Sequence, residues 1–241
     1  MIELRDGSVS VDSRLGALEE FDDRSLAYSI TDTLRERYEK LVPINKVHLA
    51  PTCLDQGQEG ACAGFATTHA ILTEPRIQDP KIYGAEFARH KLYYPAQMND
   101  EFPGGEYPGA NPVMGGTSVL AVMKEAKKLG LIERYDWSFK PEDFILGIGY
   151  HGPSVVGTKW TDQMMRPDNR GVVSTYGRVV GRHAYLVYGI NLRTNMALCL
   201  NSWGPDNYGV QGRFQIPLEA LFDLLEDRGE AVFITKTKKE A

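Results

Sequence analysis

The sequence predicts an α+β protein with helices first and strands second, on two observations. Apolar residues recur at helical spacing between about residues 31 and 129, and after about residue 140 short β-branched or aromatic runs alternate with turn formers. Segregated runs of this kind belong to a layered α+β arrangement. The chain has 241 residues, 42% hydrophobic and 24% charged, which suffices for a real core and does not fit disorder.

Residues 1–30 are acidic and aperiodic. Residues 31–42 form a short amphipathic helix with Leu34, Tyr38, Leu41 and Val42 on one side, closed by Pro43. Residues 43–60 read as a turn-rich loop ending in Asp55-Gln56-Gly57-Gln58-Glu59-Gly60. A helix is expected from about 61 to 73, where Phe65, His69 and Leu72 recur at helical spacing ahead of Pro75. A second helix spans 84–98. Residues 99–116 hold five glycines and three prolines, a long loop of the kind that is functional or flexible. The helix at 117–129 has Val119, Leu120, Met123 and Ala126 as its apolar face, lysines near its end and Gly130 as its stop. Strands are expected at 153–160, 171–177, 183–190, 196–202, 212–217 and 231–236, with a helix at 218–226.

The formal net charge is −5, so neither nucleic acid nor an anionic membrane is expected as the main partner. Lys236, Lys238 and Lys239 read as a solvated C-terminus. No apolar run approaches the ~20 residues of a membrane helix, and the charged N-terminus lacks a signal-peptide stretch; a cytosolic protein is the expectation. Three cysteines do not make a disulfide framework, and no zinc-type spacing occurs, so no metal and no cofactor are expected.

One cysteine has a reactive setting. Cys62 lies just inside a helix N-terminus after a Gly-rich turn, where amides and helix dipole favour a thiolate of lowered pKa, and its neighbours Ala61, Ala63 and Gly64 leave room for a substrate. Cys53 and Cys199 read as packing residues. A thiolate needs a base. His69 stands seven helical residues away, about 10 Å along the axis, and aligns with Phe65 and Leu72, as a core histidine would. His183, at the head of the apolar run HAYLVYGI, is better placed, although by position alone the other histidines remain competitors. Asn201 can hold an imidazole in one tautomer, with Trp203 shielding that bond from water; a plain Asn-Ser-Gly turn is the alternative reading. Gln56 could donate to an oxyanion together with the Cys62 N–H.

These residues carry a resemblance. Gln56-Gly57-x-x-Gly60-Ala61-Cys62 resembles the Gln-Gly-x-Cys-Gly-Ser-Cys segment of papain-family cysteine peptidases. His183-Ala184 with its apolar strand, Asn201-Ser202-Trp203-Gly204, and Tyr208-Gly209-x-x-Gly212-x-Phe214 resemble that family's later blocks in the same order, over about residues 45–236. The resemblance implies a two-lobed fold: a helical lobe at about 50–140, an antiparallel β-barrel-like lobe at about 141–241, a cleft between them, and an extension at 1–42 ahead of the domain at 43–241. It implies Cys62 as nucleophile, His183 as acid/base, Asn201 as orienting residue and Gln56 as oxyanion donor. Gly115 and Gly116 would bind substrate backbone, with Gly60 and Trp203 beside them. Gly157, Gly181 and Ala184 would line a second specificity pocket, roomy because two of them lack side chains.

The departures count too. Ala63 stands where the family has Trp, Arg182 where Asp or Asn is usual, and Glu59 where a disulfide-bonded Cys is usual, which favours a reducing compartment. Residues 1–42 are too short for the family's helical prosegment; they are expected to be a packed extension, with a cleft plug or docking arm as alternatives. The features suit a compact bacterial or phage-type member, cytoplasmic or virion-associated. The implied function is a cysteine endopeptidase acting on protein or peptide substrates. A catalytically silent module on the same fold and an amidase- or transglutaminase-type acyl transferase are the alternatives.

Overall fold

The computed structural model of the protein describes residues 1–20, 22–37, 39–102 and 115–237, with side chains to Thr235. Tyr38, most of the 99–116 loop, Lys238 and Lys239 lie outside the described residues.

The N-terminal segment opens with a hairpin of β1 (Ile2–Glu3) and β2 (Val9–Ser10), turned at Gly7, and continues through β3 (Ala17–Leu18). Helix α1 (Ile30–Arg35) is capped by Ser29, whose hydroxyl accepts from Thr31 N–H, and is shorter than its pattern predicts. Ile30 and Leu34 are fully buried in one core cluster with Phe144 and Ile148, so this part of the first 42 residues is built into the body. Strand β4 (Lys46–Val47) interrupts the expected loop.

Helix α2 (Cys62–Leu72) is buried along its whole length. Gly64 permits this: a Cβ there would meet the Ala88 carbonyl oxygen at 2.8 Å. The helix expected at 84–98 is present but broken into α3 (Ala85–Phe87), a π-helical turn (Ala88–Tyr93) and α4 (Tyr94–Asn99) with Pro95 at its start. Strand β5 (Thr117–Ser118) pairs parallel with β3 and leads into α5 (Val119–Lys128), capped by the Ser118 hydroxyl on Ala121 N–H.

Next come β6 (Ile132–Trp137), α6 (Pro141–Tyr150), β7 (Ser154–Thr161), β8 (Val179–Asn191), β9 (Met196–Leu200), β10 (Arg213–Pro217), α7 (Leu218–Glu226) and β11 (Glu230–Thr237). They build a seven-stranded antiparallel sheet of order β10-β9-β8-β7-β11-β6, with β4 on β8. Residues 171–177 form no strand; Val172 makes a single bridge to Gln215. The run is β-branched, but no neighbouring strand offers it a full ladder.

Candidate active site

Two backbone links bring separated segments together. Gln56 N–H donates to Ser202 O (2.8 Å) and Gly204 N–H to Leu54 O (3.1 Å), with an antiparallel bridge between Asp55 and Trp203. These links seat the loop before α2 against the end of β9. Ala61, at the N-cap of α2, has no side-chain cap, so the first-turn amides remain open beside Cys62.

His183 lies inside β8 and is fully buried. Its Nε2 donates to Asn201 Oδ1 at 2.7 Å, and Ser202 N–H donates to the same oxygen at 2.7 Å. An oxygen that accepts twice sets the tautomer: Nε2 carries the hydrogen, and Nδ1, which has no hydrogen-bond partner, carries the lone pair. The Trp203 and Trp160 rings lie 4.9 and 4.8 Å from the imidazole, shutting water away from the bond to Asn201. Gln56 is held by Ser202, whose Oγ donates to Gln56 Oε1 at 2.6 Å.

The chain's own residues 10–20 run through this site. Gln56 Nε2 donates to Arg14 O (3.0 Å) and Glu59 O (2.6 Å). The Arg14 carbonyl also faces the His183 imidazole, and Gly16 N–H faces the Cys62 sulfur. Arg14 is locked by Asp12 (2.7 Å) with its guanidinium 4.0 Å over the Trp203 ring. Leu15 is fully buried against Gly181, where a Cβ would meet Leu15 Cβ at 2.9 Å. Gly16 rests on Gly60 and accepts from Thr117 N–H (3.0 Å). Arg5, fully buried, anchors the strap: it pairs with both oxygens of Asp100 (2.7 and 2.8 Å) and donates to the carbonyls of Gln97, Phe102 and Gly116.

Enclosure reverses the expected acidity of Cys62. The N–H groups of Ala184, Gly16 and Ala63 favour the thiolate, but burial outweighs them and pushes the thiol up to about 11. Burial also holds His183 down to about 4, against the help of Asn201. A lowered thiol pKa and an open approach to the sulfur are therefore not features of this closed form.

Comparisons with solved structures agree with the architecture. Xylellain, a cysteine protease from Xylella fastidiosa, superposes with a TM-score of 0.59 at 20% identity, over 96% of this chain and 99% of that one. Procathepsin L2 of the Tenebrio molitor larval midgut gives 0.53 at 16% identity, over 96% and 77%. A structure from work on the mite allergens Blo t 1 and Der p 1 gives 0.54 at 15%, over 92% and 76%. The chain has the two-lobed papain-like fold. No protein-family profile matches the sequence, and no curated protein matches it.

Within this papain-like fold the four residues singled out from sequence converge. Cys62, His183, Asn201 and Gln56 share contacts with residues 14–16 or with one another. Gly60 and Gly116 (φ +97°) meet Gly16, and Gly115 is buried beside them. Ala184 offers its N–H to the sulfur. Gly157 and Gly181 do not leave the open pocket expected of them: the Glu230 carboxyl fills the space over the first, and Leu15 and Ser10 the space over the second. Glu59 pairs with Arg89 at 3.0 Å, tying the loop before α2 to the π-helical turn. His69 is buried and accepts from Leu54 N–H, a core role. Sequence reasoning missed Arg14, Leu15 and Gly16, as well as Trp160, Ser202 and Glu230. Only the pairing of an aromatic with the strand run at 153–160 could have flagged Trp160; the others become significant through distant partners. No helix among the described residues is long and apolar enough to cross a membrane, and all three cysteines are free.

Proposed function

We propose that the protein is a cysteine peptidase held latent by residues 10–20. The observation that carries the reading is the His183–Asn201 hydrogen bond of 2.7 Å, which leaves Nδ1, without a hydrogen-bond partner, as the lone-pair acceptor. Once the strap leaves, a substrate carbonyl takes the place of the Arg14–Gly16 peptide. Cys62 Sγ attacks that carbon while its proton passes to His183 Nδ1. The oxyanion takes Gln56 Nε2, now donating to the Arg14 carbonyl of the strap, and the uncapped amide of Cys62. Collapse expels the amine, which takes the proton from His183. Water, deprotonated by His183, then hydrolyses the thioester and restores the thiol.

The test is hydrolysis of a denatured protein substrate by a form whose strap is displaced (Gly16→Ala, below), with Cys62→Ser and His183→Ala in the same background. Turnover in the first and none in the others is expected. A Cys62 thiol that alkylates readily in a protein without turnover would favour the silent-module reading instead.

A further inference from the structure

A cavity of about 600 Å³ lies at the far end of β8 from His183. Lys46 lines it and pairs with Ile190, seven residues beyond His183, or about 23 Å along the strand. Four segments meet on its walls: Arg37 follows α1, Lys46 and His48 belong to β4 and its end, Glu74 and Arg76 follow α2, and His151 follows α6. The fixed charges of these residues do not balance. Arg37, Lys46 and Arg76 face the single carboxylate of Glu74, which already accepts from Leu49 N–H (3.0 Å). Burial lowers both imidazoles, His151 to about 4, and each donates through Nε2 to a carbonyl, His48 to Ile148 (2.9 Å) and His151 to Ile234 (2.6 Å). Arg76 is the group left uncompensated. Among the described residues no carboxylate pairs with its guanidinium, which burial pulls down to about 10. Its Nε and Nη1 are enclosed and have no hydrogen-bond partner. Its Nη2 donates to the same Ile234 carbonyl that His151 satisfies. Ile77, next in the chain, is an exposed β-branched residue held at φ +42°, strain of the kind that persists at ligand sites.

An enclosed guanidinium without an anion is a costly arrangement until something completes it. Leaving Ile234 to His151 strands no acceptor, so Arg76 can turn its Nε–Nη1 edge into the cavity, where that planar fork matches an oxyanion. Three cations less one carboxylate leave two positive charges, which a phosphoryl dianion neutralises and a single carboxylate does not. We propose that this cavity binds a phosphoryl dianion, free or as the monoester of a small organic group, with Arg76 as its main ligand and Arg37 and Lys46 completing the charge. The bound group bridges Arg37 of the N-terminal segment to the body of the protein. The site stands apart from Cys62 and does not depend on the chemistry proposed there.

The test is isothermal titration of the full-length protein with inorganic phosphate, glycerol 3-phosphate and succinate. It is run in chloride buffer of fixed ionic strength at about pH 7.5, where phosphate esters are dianions. Saturable binding at one site per chain is expected for a phosphoryl probe, and the tighter of the two names the source of the group. Thermal melts should rise with occupancy: at a concentration about 100 times the dissociation constant, the folded-to-unfolded ratio should grow about 100-fold. Arg76→Gln is expected to weaken binding at least about tenfold, the loss of a charge-assisted hydrogen bond. Arg37→Gln and Lys46→Gln, at the more open positions, are each expected to weaken it about two- to fivefold. These two variants carry the test if Arg76→Gln folds poorly. No saturable binding of either phosphoryl probe to the parent protein would overturn the proposal. So would an affinity unchanged in the variants, or succinate binding as tightly as the phosphoryl probes.

Discussion

A single methyl group at residue 16 should open the cleft. Gly16 sits on Gly60 so closely that a Cβ would lie 2.3 Å from the Gly60 carbonyl oxygen and 2.4 Å from its Cα. Both are backbone atoms and cannot rotate aside. Overpacking of this kind costs about 1–3 kcal/mol, and the cost falls only on the docked strap, because residue 16 belongs to the strap and not to the body. The open population should then rise by about 5- to 150-fold. Opening also changes the thiol. Pushed up to about 11, Cys62 is thiolate in about one molecule in 10⁴ at pH 7; at the ordinary value of 9.0 the fraction is about one in 10². The assay is carboxamidomethylation by iodoacetamide at pH 7, followed by peptide mass spectrometry. Cys53, pushed up to about 12, and the buried Cys199 serve as internal references. Gly16→Ala should label at Cys62 at least fivefold faster than the parent protein, with the references unchanged. Labelling at the parental rate in a folded variant, or a parallel rise at Cys53, would refute the idea that residues 14–16 hold the thiol closed.

Three further outcomes follow from the same contacts. Arg5→Ala strands Asp100 without its buried partner, a loss of about 3–5 kcal/mol; trypsin should then cut after Arg14 in minutes while the parent resists, as read by mass spectrometry of the N-terminal fragment. Asn201→Ala in the Gly16→Ala background removes the acceptor that sets the His183 tautomer, so peptide hydrolysis should fall at least about tenfold with substrate affinity little changed. Stability should fall on acidification: His183 and His151 are held down to about 4 and His69 to about 3, each by burial. Their folded values lie below the ordinary 6.5, so the unfolded chain takes up protons first, and each group costs about 1.4 kcal/mol per pH unit as pH falls from about 6.5 to 4. Glu230, raised to about 8, acts in the opposite sense: its contribution is present below the ordinary 4.5 and is lost as pH rises to about 8. Thermal melts from pH 8 to 4 should show a net acid loss, and Glu230→Gln should gain on the parent as pH rises through that range.

Much of the fold can be read from patterns. Helix α7 spans 218–226, as its periodicity indicates, and α2 runs from Cys62 to Leu72 against an expected 61–73. Strands β9 and β10 match the runs expected at 196–202 and 212–217 closely, whereas β8 begins at Val179, before the expected 183, and so holds His183 in its interior. Strand β6 and helix α6 do not stand out in sequence. Ile132–Trp137 reads IERYDW, which lacks clean alternation because β11 holds it at the sheet edge through main-chain bonds, and Pro141–Tyr150 is rich in glycine and aromatics that pack only once Phe233 and Ile44 are in place.

The sequence by itself determined which side chains the proposed chemistry uses and the order in which they come. That is a local property: a cysteine after a glycine turn, a histidine opening an apolar run, an asparagine ahead of Ser-Trp-Gly. The tertiary structure decided what state they are in. Whether Cys62 is a thiolate or a thiol depends on how much water reaches it, and that depends on Arg14–Gly16, more than 40 residues earlier in the chain. Leu15 against Gly181, Arg14 against Gln56 and Glu230 over Gly157 are contacts between segments that share no periodicity, so no local pattern encodes them. Desolvation acts through space, and only the folded chain sets those distances.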